Sequence, residues 1–345
     1  DINYMSNLII VGGSKGKPSG VINKLRALLT DTAVFDKVTM YNGIDPHDVG
    51  GADLLLWFPD IDNEEPKDYP IKGKGAVLIC SKVMREATAE SVSTTRIDAV
   101  TRIFKMHGNA VTMIRTHGNK FEFELVDALN NTWITTTDLN IFTAAILELY
   151  LWTKSSVRRS LSYGGNFDIT WSPQYAKDLE VFINTNTAIA FKVAAGCGNR
   201  FFGNFSTRCT KLFPSSRIGA SAFAFSPRNT DKTSITTKDL VPTNFSEYFG
   251  DRKPSVDAPV QLELYRDFPD INFMIHGHAY IRGDVPFTDK YYPCGDLREV
   301  DEVRKQLNFG HSRINLKSHG FLLVGNCVED FRRHLEECKF DMIGG

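Results

Sequence analysis

The chain has no surplus charge of either sign. Its 40 lysines and arginines face 41 aspartates and glutamates, for a net charge of −1. No basic cluster reaches the density with which nucleic-acid-binding surfaces neutralise phosphates, so nucleic acid is excluded as a partner. Long hydrophobic runs are also missing. The longest apolar window, 141–152, is broken by Glu148 and falls short of the ~20 residues that span a bilayer, so no membrane segment is expected. No basic stretch precedes the run NLIIVGG at Asn7–Gly13, which argues against a signal peptide and leaves Met5 as a start position. The six cysteines (Cys80, Cys197, Cys209, Cys294, Cys327, Cys338) form no CxxC and no regular spacing. That excludes a disulfide framework and suits a reducing compartment. The expectation is a soluble cytoplasmic protein.

What is present is enough apolar material, 42% of 345 residues, for two cores of ordinary size. In the first half, NLIIVGG is followed by a glycine-containing turn and then by Val21, Ile22, Leu25, Leu28 and Leu29 at helical spacing. Further short apolar runs lie at 38–41, 52–58 and 75–80. Strands alternating with helical stretches predict a Rossmann-like α/β domain with a largely parallel sheet. The turn at 12–20 has neither GxGxxG nor a closing GK[ST]; it reads as a tight strand-to-helix turn or, alternatively, as an anion-binding helix start. The segments 111–115, 120–126 and 132–136 look like hairpin strands. The two HGN triplets, at His107 and His117, read as turns and His47 as a surface residue. Asp138 is placed to cap a helix over 139–154 whose apolar positions nearly encircle it, as for a helix buried between layers or domains. The polar stretch SSVRRSLSYGGNFD at Ser155–Asp168 reads as a linker. The domains are therefore expected at 1–160, of unassigned role, and at 161–345.

The second half is organised around KPSVDAPVQLELYRDFPDINFMIHGHAYI, Lys253–Ile281. On a strand of period two, His276 and His278 face the same way, and two imidazoles on one strand face are half of a metal site. Partners are offered by Asp257, nineteen residues upstream of His276, and by His319, in KSHG, forty-one residues downstream of His278. Asp257 could equally cap a helix starting at Ala258 or Pro259. Ser172 caps a helix opened by Pro173. His311 reads as a loop residue, His334 as part of a charged helix face, and Arg208 as either an anion contact or a surface residue.

GNFSTR at Gly203–Arg208, KPSVDAP followed by Tyr265, FPD and HGH, and KSHG at Lys317–Gly320, taken in this order, resemble the class II aldolase/adducin family. That family includes L-fuculose-phosphate aldolase and L-ribulose-5-phosphate 4-epimerase, and the resemblance covers the C-terminal half only. It implies an α/β/α domain with a mostly antiparallel central sheet. It also implies zinc, or another divalent transition metal, on His276, His278 and His319, and a homo-oligomer, commonly a tetramer. Asp257 matches the family's acidic position, where an aspartate is epimerase-like. The activity implied is that of a zinc-dependent aldehyde-lyase or sugar-phosphate epimerase in carbohydrate metabolism. Such an enzyme acts on a small sugar-phosphate-like or hydroxy-ketone carbohydrate through a metal-stabilised enediolate.

By the same resemblance, Asn204, Ser206, Arg228 and Ser255 are expected to bind substrate. The family's anion loop is replaced by SPRNTDK at Ser226–Lys232, without glycine, and Val256 stands where many members carry a second serine. There is no clear counterpart of the family's catalytic tyrosine; Tyr291, with Tyr292 beside it, is the candidate by proximity, and Asp289 matches an epimerase aspartate. Two other readings stay open. One is a non-catalytic adducin-like binding module; the other is a bifunctional enzyme whose N-terminal domain binds a nucleotide.

Overall fold

In the computed structural model the chain divides into two compact units, Asp1–Ser155 and Ser156–Ile343. The structure describes residues 5–13, 18–42, 49–59, 61, 69–166, 173–193, 201–209 and 222–342. His47, the cap position Ser172 and Ser14–Lys17 of the glycine turn lie outside them.

The first unit runs β1 (Asn7–Gly12), α1 (Gly20–Asp31), β2 (Lys37–Asn42), β3 (Leu54–Phe58), β4 (Val77–Arg85), α2 (Ala89–Lys105), β5 (Ala110–His117), β6 (Lys120–Asp127), β7 (Thr132–Thr136), α3 (Leu139–Lys154). Its sheet has the order β2-β1-β3-β4-β5-β6-β7. The strands from β2 through β5 pair in parallel, and β6 and β7 add antiparallel. Helices cover both faces: Ile22, Leu25 and Leu29 of α1 pack with Phe142, Ile146 and Leu149 of α3, while Ala99, Val100 and Ile103 of α2 cover the other side. Burial on both faces is why LLLWF in β3 is apolar at every position. Ser19 accepts from the Ile22 N–H at 3.1 Å and Asp138 from that of Asn140 at 2.8 Å, the capping that starts α1 and α3. Contrary to the expectation of all-round burial, α3 buries one face and leaves Ile141 and Leu151 about half exposed.

The second unit runs β8 (Ser162–Tyr163), α4 (Pro173–Val193), β9 (Asn204–Arg208), β10 (Phe223–Phe225), β11 (Val241–Thr243), β12 (Glu247–Tyr248), α5 (Ala258–Asp267), β13 (Phe273–Gly277), β14 (Ala279–Ile281), α6 (Glu299–Asn308), β15 (Arg313–Leu316), β16 (Gly320–Gly325), α7 (Val328–Glu337), β17 (Phe340–Met342). The central sheet has the order β15-β16-β13-β9-β10-β11-β12-β8 and is antiparallel except at β12–β8. Strand alternation assigns its faces. Phe205, Phe273, Ile275, Phe321 and Leu323 pack on α4 and α7 around Phe182, whose ring lies 4.7 Å from Phe273 and 5.2 Å from Phe331. Met274, Leu322 and Val324 face α5 and α6. His276 shares the parity of Met274 and is therefore delivered to the α5–α6 side, at the end of β13.

Two sequence readings are corrected here. His334 is not part of an exposed charged face; it is buried, with Nε2 on the Val324 carbonyl at 3.0 Å and Nδ1 accepting from Arg313 Nε at 2.9 Å. Arg208 is neither anion contact nor surface ornament. Its guanidinium donates to the carbonyls of Tyr265, Phe268 and Ile271, tying the end of α5 to the sheet.

A Cβ on Gly320 would stand 1.9 Å from the Gly277 carbonyl oxygen, whereas one on Gly118 (φ +59°), in the β5–β6 turn, would meet open space. Gly118→Ala is expected to cost about 1–2 kcal/mol, the left-handed backbone penalty alone. Gly320→Ala adds a backbone collision and is expected to exceed about 3 kcal/mol. Urea midpoints of the two full-length variants measure the difference, and equal midpoints would contradict this packing.

Candidate metal centre

Gly320 is the point at which β16 crosses close to β13, and that approach sets His319 against the histidine pair. The β15–β16 turn, with Ser318 at φ +54° and the His319 N–H on the Leu316 carbonyl, presents the His319 ring. Ring centroids are 5.1 Å apart for His276–His278, 4.7 Å for His276–His319 and 5.4 Å for His278–His319. One ligand atom from each lies within 4.8 Å of the others, and all three side chains are buried.

Two of the rings are held by hydrogen bonds from outside the cluster. His276 Nδ1 meets the Phe321 carbonyl at 2.8 Å, which puts a proton on Nδ1 and turns the Nε2 lone pair inward. That Nε2 is buried without a hydrogen-bond partner, an expense proteins rarely carry. Burial first, and then the neighbouring His319, push the His276 pKa down to about 4, so the ring is a neutral donor at neutral pH. His319 Nδ1 lies 2.7 Å from Glu299 Oε1, itself buried at the start of α6. Burial alone would lower His319, but the Glu299 carboxylate holds it well above the ordinary histidine range. Its Nε2 faces Cys294 Sγ at 3.3 Å. The Phe202 ring lies 4.5 Å from that of His278.

Asp257 sits at the N-terminus of α5, but its side chain makes no capping bond. Instead Oδ1 accepts from the Gly295 N–H at 2.7 Å and Oδ2 from Asn204 Nδ2 at 3.3 Å, with Oδ2 3.8 Å from His276 Nε2. Behind it runs a buried polar chain. Asn204 donates to Ser255 and accepts from Gln261 Nε2, Ser206 donates to Gln261 Oε1 at 2.5 Å, and Ser206 meets the Tyr265 hydroxyl. This chain fixes the Asp257 carboxylate from the sheet side.

Of the residues singled out in the sequence, His276, His278, His319, Asp257, Asn204 and Ser255 are brought together. Ser206 is not a surface contact for a ligand; it is fully buried inside the chain behind Asp257. Asp289 lies in the segment before α6, exposed, with its carboxylate on Lys305 Nζ at 2.5 Å, a pairing that lowers its pKa. The ion pair places it on the surface rather than with the histidines. Tyr292 is buried beneath Arg298, and Tyr291 is half-buried in the segment between Asp289 and Cys294. Arg228 lines a cavity of about 290 Å³ with Arg159, Lys253, Tyr163, Tyr248 and Ser255. Burial draws the Arg228 pKa down against the pull of Asp257. Burial likewise lowers Lys232 to about 8; its Nζ donates to the Phe201 carbonyl.

Sequence reasoning missed Glu299, Cys294 and Gln261. Only PCG, two residues past Tyr291, hinted at one of them.

Residues 188–281 match the family model described as "Class II Aldolase and Adducin N-terminal domain". The match spans Asn204, Asp257, His276 and His278, in line with the resemblance of the C-terminal half to the class II aldolase/adducin family. Similar solved structures include an L-fuculose 1-phosphate aldolase (19% identity, TM-score 0.36, covering 48% of this chain and 82% of that one). A sugar-phosphate aldolase from Thermotoga maritima matches at 12% identity and TM-score 0.36, over 46% of this chain and 90% of that one. The N-terminal class II aldolase domain of a conserved protein from Thermoplasma acidophilum matches at 17% and 0.35, over 49% and 92%. No curated protein matches the chain. Among the described residues no helix is long and apolar enough to cross a membrane.

The orphaned Nε2 of His276 and the convergence of three imidazoles fit a divalent ion. Because the partner of a metal-bound histidine typically governs affinity by 10–100-fold, Glu299→Gln is expected to weaken zinc binding by about that factor. Competition with a fluorescent chelator measures it, and unchanged affinity would contradict the role given to Glu299.

Proposed function

We propose that the second unit is the catalytic unit of a divalent-metal-dependent lyase or epimerase, acting on a sugar-phosphate-like or hydroxy-ketone substrate in carbohydrate metabolism. The observation that carries this reading is the convergence of three buried imidazoles beside a carboxylate, with His276 Nε2 left without a hydrogen-bond partner. His276, His278 and His319 would hold the ion; zinc suits neutral imidazole donors. When bound, the ion supplies positive charge that stabilises the negative charge developing on a substrate oxygen as a C–C bond breaks.

The chain's own groups do the rest. Asp257, steadied by the Gly295 N–H and Asn204, takes a proton from a substrate hydroxyl during cleavage and returns it on re-addition. Cleavage followed by release makes a lyase; cleavage followed by re-addition on the other face makes an epimerase. The cavity lined by Arg159, Arg228 and Lys253 supports an anionic group on the substrate. Arg159 pairs with Glu263 through Nη1, while its Nε and Nη2 are buried without hydrogen-bond partners. Ser255 belongs both to this cavity and to the hydrogen-bond chain at Asp257, which ties the anion to the reacting end.

For the first unit, the parallel strand order and helix-covered faces support a Rossmann-like, ligand-binding role. The whole is read as a cytoplasmic homo-oligomer, a tetramer being the assembly the family resemblance favours.

The full chain is expected to hold about one divalent ion and to turn over a member of a panel of pentose and hexose phosphates. Asp257→Asn is expected to keep the ion and to lower kcat by about 10²–10⁴. Failure to hold stoichiometric metal after incubation with zinc and with manganese would overturn the proposal, and unaltered turnover in the variant would remove Asp257 from the chemistry. Arg228→Ala is expected to raise KM for the phosphorylated substrate roughly tenfold or more, as loss of a charged hydrogen bond implies; an unchanged KM would move the anion elsewhere.

A further inference from the structure

Lys232 carries a charge that its surroundings leave unpaired. It is only 7% exposed, and among the described residues its ammonium donates to one group, the Phe201 carbonyl at 3.3 Å, and pairs with no carboxylate. Asp231, next to it in sequence, turns its carboxylate to the N–H and hydroxyl of Thr233 at 2.9 and 2.7 Å. Asp239, farther along the same loop, accepts from Thr236 and faces Arg252. An ammonium has three donors and no acceptor, and burying it without an opposite charge is unfavourable. Methionine would fill the same space without that penalty.

The loop holding Lys232 is anchored to the segment that borders the histidines. Ser226, where the chain leaves β10, accepts from the Phe205 N–H at 3.1 Å. The loop turns at Asn229, φ +50°, a conformation that asparagine tolerates. Thr187 of α4 donates to the Lys232 carbonyl at 3.4 Å. Phe201, which accepts from the ammonium, is followed by Phe202, whose ring lies 4.5 Å from that of His278. Next comes Gly203, where a Cβ would stand 2.4 Å from the His276 carbonyl oxygen. The charges of the two elements are felt across this short path. Burial lowers the Lys232 pKa against the pull of Asp231 and Asp257, and Lys232 adds to the burial and the His319 charge that lower His276. Lys232 does not line the cavity at Arg228, so it is a separate cationic point.

We propose that Lys232 is a substrate-binding residue of the metal centre, its ammonium taking a negatively charged oxygen at the reacting end of the substrate. The inference rests on the metal-dependent reading above. A divalent ion together with an unpaired ammonium leaves more positive charge than the carboxylates of Asp257 and Glu299 offset. An anionic ligand supplies the difference. Its class is a vicinal pair of oxygens, one of them anionic, as in a 2-hydroxycarboxylate. The cavity at Arg228 is then left for a second anionic group, remote from the reacting carbon.

The test uses the cobalt(II)-loaded full chain and glycolate, with glycolamide as its uncharged match, and reads binding from the visible cobalt spectrum. The unmodified chain is expected to bind glycolate. Lys232→Met is expected to keep its cobalt, by metal analysis, and to bind glycolate about tenfold or more weakly, as loss of a charged hydrogen bond implies, with glycolamide unchanged. Lys232→Gln retains a donor for the Phe201 carbonyl and loses the charge, and it is expected to weaken glycolate equally. Glycolate affinity restored in Lys232→Gln means that the side chain only holds residues 201–203 in place, and overturns the proposal. So do an equal loss for both ligands, an unchanged glycolate affinity in Lys232→Met, loss of cobalt from both variants, or no glycolate binding by the unmodified chain. In each of those cases cobalt bound to the unmodified chain leaves the three-histidine reading standing. If the unmodified chain binds no cobalt, both fall together.

Discussion

The site depends on a close approach between two backbones. β16 begins so near to the end of β13 that a side chain at Gly320 would collide with the Gly277 carbonyl. This contact sets His319 within ring-stacking distance of His276. On the other side Gly203, at φ +75°, lies where a Cβ would be 2.4 Å from the His276 carbonyl oxygen. It starts β9 so that Asn204 pairs with His276. Glycines on both flanks allow three strands to converge on one histidine, and only glycine tolerates that spacing.

Convergence alone would be costly, because buried imidazoles lose water and gain little from one another. The structure offsets this with partners placed outside the cluster: the Phe321 carbonyl for His276, Glu299 for His319, and the chain from Tyr265 through Ser206, Gln261 and Asn204 to Asp257. Within the cluster His276 Nε2 is buried without a hydrogen-bond partner. An imidazole nitrogen left so, facing two other histidines, marks a place for a ligand rather than a packing fault.

Much of this was legible in the sequence, because strand periodicity and order along the chain are local signals. The HGH spacing, the upstream Asp257 and the KSHG turn named the residues that meet, and Asp138 located the start of α3. The failures share a cause: parity along a strand says which residues share a face but not what lies across it. Ser206 shares a face with Asn204, yet α5 covers it. Asp289 matched a pattern, yet Lys305, one helix later, takes its carboxylate. His334 sat in a charged run, yet its ring turns into the sheet. Glu299 and Cys294 stand twenty-five residues or fewer before His319, with no period linking them to it; only the fold of the segment between β14 and α6 reveals them. In the first unit the near-continuous apolar strands told of a sheet covered on both faces, but not that α3 would leave Ile141 and Leu151 exposed.

The central claim is that the three histidines surround one divalent ion. Anomalous scattering at the zinc edge from crystals of the zinc-incubated full chain tests it most directly. The account predicts a single strong peak inside the cluster, about 2.0–2.1 Å from His276 Nε2 and from His319 Nε2. A site without anomalous signal, or zinc found only on surface residues away from His276, would contradict it.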